Sequence, residues 1–148
     1  MRCSESYYDL IGELFAAEFD IVSFLKPLSV FEKKISRDSF VVSKSDLIKV
    51  PFKKTTAKFS ENDSKEIIGA EYTSTITWDL NNPTEEEMSV LQRLNGTPHH
   101  IFMKFLGDNL AVVRAVEHGY SFSMVEKDGV LSCTITIVNS SGLQQVID

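Results

Sequence analysis

The sequence predicts an α+β protein that is mainly β: an antiparallel β-sandwich or barrel with a short flanking helix and an N-terminal amphipathic helix. Three stretches carry that expectation. Tyr120 to Val138 alternates apolar and polar residues on both sides of Asp128-Gly129, the pattern of a one-sided hairpin. Glu71 to Leu80 puts Tyr72, Ile76, Trp78 and Leu80 on one side and Thr73, Thr75, Thr77 and Asp79 on the other. Thr84 and Glu87 frame a capping box ahead of Met88, Leu91 and Leu94, a helix start with one apolar stripe.

Taken in order, residues 5–19 read as an amphipathic helix, with Tyr7, Leu10, Ile11, Leu14 and Phe15 recurring at three and four and Glu13 and Glu18 opposite. From Ile21 the pattern turns continuous and β-branched, and Pro27 discourages helix before it, so an extended arm follows. Residues 1–35 are thus expected as helix and arm, and 36–148 as a single β-rich domain. Phe40 to Val42, Leu47 to Val50 and Thr55 to Phe59 read as strands, with Pro51 at an edge or bulge. Ser60 to Ala70 is polar apart from Ile67-Ile68 and reads as a loop. The helix over about 85–95 has Asn95-Gly96 as a left-handed stop.

Ile101 to Leu106 and Leu110 to Glu117 suit a second hairpin through Gly107-Asp108-Asn109. Its faces are Ile101, Met103, Phe105, Ala111, Val113 and Ala115 against Phe102, Lys104, Val112 and Arg114. Core parity is odd at Val113 and Ala115 but even at Tyr120 and Phe122, so Gly119 marks a bulge or corner. In the closing hairpin a two-residue turn pairs Lys127 with Val130, Met124 with Cys133, Phe122 with Ile135 and Tyr120 with Ile137. A loop one residue longer would mix the faces; a four-residue loop would keep the parity.

Chemistry-bearing patterns are sparse. Cys3 and Cys133 lack metal-type spacing, and Cys133 sits on the apolar hairpin face as a small hydrophobe. His99 and His100 point to opposite sides of an extended segment, so at most one joins His118, and no carboxylate spacing completes a metal site. There is no nucleophile elbow and no phosphate-binding glycine loop, and Glu85 to Glu87 suits a helix start. No enzyme activity and no cofactor are expected. The N-terminus lacks a signal-peptide h-region, and no uncharged run approaches the ~20 residues of a membrane span. A cytoplasmic, reduced protein without membrane contact follows, and the three Asn-x-Ser/Thr matches are chance.

The net charge of −6 is unevenly spread: residues 1–25 carry −4, 26–58 carry +6, 59–95 carry −6 and 96–148 carry −2. A basic middle flanked by acidic segments suits a polyanion, the acidic part of another copy, or plain solvated strand faces. The lysines are interleaved with Phe31, Phe40, Phe52 and Phe59, but the acidic total argues against specific nucleic-acid binding.

The order EYTSTITWDL, NPTEEEMSVLQRLNG, IFMKFLGDNLAVVRAV and a closing hairpin into NSSGLQQV, over about residues 40–142, resembles the phage tail tube fold shared with type VI secretion tube proteins. The resemblance lies in topology. It implies a virion structural protein that assembles into stacked homo-oligomeric rings, with other tail proteins as further partners, cytoplasmic before assembly and in the virion after it. It also implies that the 60–70 segment meets the next ring. Glu61, Asp63, Lys65, Glu66, Ile67 and Ile68, together with Lys49, Lys53, Lys54 and Lys58, would then form the contacts between copies, the opposite charges of 26–58 and 59–95 suiting the stacking. A different class of function also fits: a monomeric β-barrel module that binds an apolar ligand or a protein partner.

Overall fold

Alternating side chains need a sheet with one face covered, and this chain meets that need by folding one long sheet onto itself. The computed structural model describes residues 8–18, 23–24, 34–36, 40–41, 47–66, 69–105, 110–116, 118–139 and 142–147. In chain order the elements are β1 (Tyr8–Glu18), β2 (Ser23–Phe24), β3 (Lys34–Ser36), β4 (Phe40–Val41), β5 (Ile48–Lys49), β6 (Lys58–Glu66), β7 (Gly69–Asn81), α1 (Glu85–Gly96), β8 (His99–Phe105), β9 (Leu110–Val113), β10 (Tyr120–Lys127), β11 (Val130–Asn139) and β12 (Leu143–Ile147). The main sheet runs β10-β11-β7-β6-β1-β8-β9-β12-β3, with β5 also on β1, and β2 pairs with β4 apart from it. Pairing is antiparallel except between β12 and β3. The path has two ends, so the sheet is a sandwich and not a closed barrel.

The core lies between the two halves of that path. Phe59, Ile76, Trp78, Ile135 and Ile137 from one half meet Leu14, Ile101, Met103 and Val113 from the other. Full burial of each such side chain contributes about 1.5–3 kcal/mol. Helix α1 adds Leu91 and Leu94 and lies beside β10, where Tyr120 donates its hydroxyl to the Leu94 carbonyl at 2.8 Å.

The closing hairpin forms in the expected register, Tyr120 with Ile137 through Lys127 with Val130, and positive φ at Asp128 (53°) and Gly129 (81°) makes its two-residue turn. The capping box also forms: Glu87 N donates to Thr84 Oγ1 at 3.2 Å and Thr84 N to Glu87 Oε1 at 2.8 Å. The corner stands at Gly119, where an added Cβ would strike the Val138 carbonyl oxygen and come within 2.6 Å of Val116 Cγ2.

Four expectations are corrected. The N-terminal helix over 5–19 is instead strand β1 across its described part, placed between β6 and β8. A bulge at Gly12 is the reason. Ile11 pairs with Phe105 but Glu13 with Lys104, so Ile11 and Leu14, three apart, both face the core and imitate a helical period. Phe15 and Ala17 meet Phe102 and Val112 on the opposite face, so this strand is apolar on both sides. Residues 8–18 and 34–36 therefore belong to the same sheet as the rest, and most of the expected arm lies outside the described residues.

The expected loop at 60–70 is instead a hairpin. β6 pairs with β7 from Lys58–Thr77 to Glu66–Gly69, leaving 67–68 outside the described residues. Pairing with a long, well-patterned neighbour overrides the weak β preference of SENDSKE. The helix does not stop at a left-handed Gly96. It runs through that residue and ends at an extended Thr97 (φ −144°), because Pro98 excludes the helical region from the residue before it. In the second hairpin Lys104, not Leu106, pairs with Leu110. The shift is even, so the faces are as expected over Leu110–Val113, but β9 ends there and residues 114–116 lie in no strand, short of the expected end at Glu117.

Candidate interaction site

Segment 48–60 runs antiparallel along one edge of β1. Lys49 pairs with Phe15, Val50 N donates to Leu14 O at 2.9 Å, Ile11 N to Ala57 O at 3.0 Å, and Lys58 pairs with Leu10. Between Val50 and Ala57 the chain leaves β1 in a short blister. Lys53 N donates to Asp79 O at 2.7 Å, and Thr56 N to Lys53 O at 3.0 Å closes a turn. Thr56 Oγ1 donates to Lys53 O at 2.6 Å and accepts from Asp79 N at 3.1 Å. Thr55 holds φ 70° in that turn, where glycine or asparagine is usual. Lys49, Lys53, Lys54 and Lys58 are all exposed, Lys49 and Lys58 on the strands beside β1 and Lys53 and Lys54 in the blister between them.

The acidic half of the expected contact set behaves differently. Glu61 is 6% exposed and faces inward, where its Oε1 accepts from Leu143 N at 2.6 Å. It fastens the start of β12 within its own chain and is not a surface residue. Asp63, Lys65 and Glu66 lie on β6 in the hairpin with β7, and Ile67 and Ile68 fall outside the described residues.

The histidines divide. His99 is buried; its Nδ1 lies 2.7 Å from Thr97 O, and its ring stacks at a tilt on Tyr120. Burial lowers its pKa, against the opposing pull of the Thr97 carbonyl and Glu18. His100, on the other side of β8, accepts from Ala115 N through Nδ1 at 2.9 Å. His118 is exposed at the corner. Among the described residues no three His, Cys, Asp or Glu side chains converge as metal ligands. Burial pushes the Cys133 thiol up to about 12, with Asp79 adding to the shift, so it stays protonated. Burial also raises Tyr120. Asn139, in one of the glycosylation matches, is buried and donates to Arg114 O at 2.7 Å.

A surface that sequence reasoning missed lies at the end of the sheet. Among the described residues β10 has no strand on its outer side. Val125 projects from its serine face at 65% exposure, the one large hydrophobic so exposed among them. Next to the other end of the strand an open groove of about 510 Å³ is lined by Val116, Gly119, Tyr120, Ser121, Thr136 and Val138, with His118 at its rim. The available signal was Val125 itself, an apolar residue on an otherwise serine-and-lysine face.

Compared with known proteins, the chain matches no family model, no curated protein and no solved structure. No described helix is long and apolar enough to cross a membrane.

Proposed function

We propose that this chain is a structural, self-assembling protein of a phage or prophage tail, tube-like in organisation and without catalytic activity. The observation that carries the proposal is the sheet end. An eight-residue edge strand stands unpaired among the described residues, free of proline, with an exposed Val125. Protein edges of this kind pair with other chains unless they are blunted. The exposed lysines Lys49, Lys53, Lys54 and Lys58 supply a second contact, suited to the acidic surface of a neighbouring copy. In this reading the protein is cytoplasmic until it assembles and then part of the virion, with other tail proteins as neighbours.

Negative-stain electron microscopy of the concentrated chain tests the assembly directly, with rings or stacked tubes as the expected particles. Isolated particles of single-chain size would instead favour a monomeric module that binds an apolar ligand. Tail or capsid genes beside the coding sequence would support the phage assignment independently.

A further inference from the structure

Resting on the self-association reading, the geometry points to one specific contact: β10 pairs edge to edge with β10 of a second copy, antiparallel, about a two-fold axis at Ser123. Three features fix that register. The first is which backbone groups are free. Val138 N donates to Gly119 O at 2.8 Å, in continuation of the β10–β11 register. Hydrogen-bonded and non-bonded pairs alternate along an antiparallel ladder, so odd-numbered residues of β10 direct their backbone groups at β11. The N–H and C=O groups of Tyr120, Phe122, Met124 and Glu126 therefore point out of the open edge.

The second feature is the core face. Tyr120, Phe122 and Met124 are half-buried and pack on the core, whereas Ser121, Ser123 and Val125 are exposed. A second copy continues both faces only if even residues stand opposite even ones. With Ser123 on the axis, Phe122 meets Met124 of the second copy, and the free backbone groups meet each other.

The third is the fit of knob and groove. This register sets Val125 opposite Ser121 of the second copy, on the side where Ser121, Thr136 and Val138 line the groove. Each copy thus covers the other's groove with its exposed valine, as an isologous contact requires. The turn residue Asp128 comes opposite His118 of the second copy at the groove rim. Centring the pair on Phe122 would cut the paired stretch to Tyr120–Met124, and centring it on Met124 would move Val125 off the groove to Ser123. A closed two-fold pair gives any ring built from this chain a dihedral form, two rings held face to face.

Site-directed cross-linking tests the pairing, with Cys3→Ser removing one native thiol while Cys133 stays buried. Ser123→Cys places two thiols on non-hydrogen-bonded Cα atoms about 4.5 Å apart, within disulfide range. Mild oxidation is expected to give a reducible dimer for Ser123→Cys, and a mixed dimer when Ser121→Cys and Val125→Cys chains are combined. Val125→Lys is expected to weaken association at least about tenfold and to leave the thermal melt unchanged at concentrations where both proteins are monomeric, since the side chain is exposed in one copy. An oligomeric wild type that gives no Ser123→Cys dimer and ignores Val125→Lys overturns this pairing and leaves self-association standing. A wild type that is monomeric at every concentration overturns both.

Discussion

Ser74 holds a hydroxyl against Ile137 in the core, and neither its Oγ nor Trp78 Nε1 finds a partner among the described groups. A buried polar group without a hydrogen bond costs about 1–3 kcal/mol. Ser74→Ala is therefore expected to raise stability by about 1 kcal/mol, read from denaturant midpoints; a loss would reveal a partner for the hydroxyl. His99 makes the fold acid-sensitive. With Nδ1 donating to Thr97, its Nε2 is left buried without a partner, and its pKa lies below the ordinary 6.5. On acidification the unfolded chain takes up that proton first, so the stabilising difference is intact above about pH 6.5 and is lost as pH falls toward the folded value. Denaturation measured between about pH 5 and 7 should show this decline, and His99→Asn should flatten it. An equal decline in the variant would place the acid sensitivity elsewhere.

At the scale of elements, legibility followed the strength of local pattern. The closing hairpin and α1 were readable because Asp128-Gly129 and the Thr84–Glu87 box each name a backbone geometry and the apolar spacing agrees with it. Strand β1 was not, because the Gly12 bulge and burial on both faces turned its pattern helical. Strand β6 was not, because its polar residues owe their extended form to β7. The lysines of the candidate site were legible as charge, whereas the inward turn of Glu61 was not, since it depends on β12, which lies 82 residues further along the chain at Leu143. Two substitutions test the joints. Gly119→Ala should cost about 1–3 kcal/mol, because the Val138 carbonyl blocks the new methyl group. Thr55→Gly should add about 1 kcal/mol by relieving a β-branched residue at φ 70°. Melting temperatures that moved the other way would contradict the corner in the first case and the blister in the second.

For the molecule as a whole, the layout is what the proposed association rests on. A sandwich that does not close leaves ends, and the β10 end combines backbone groups with no strand partner among the described residues, an exposed valine and a neighbouring groove. Closure would have hidden those groups; here a second copy can do so. In the proposed assembly the exposed lysines would add a contact that salt should weaken, because exposed charges are screened over about 10 Å at moderate ionic strength. Any stacking held by it is expected to loosen in high salt, while pairing through β10 persists. The most direct test of self-assembly is the mass of the full chain in solution, by light scattering across rising concentration. Species that grow in multiples of 16.7 kDa are expected. A single species of one chain's mass throughout would contradict self-assembly.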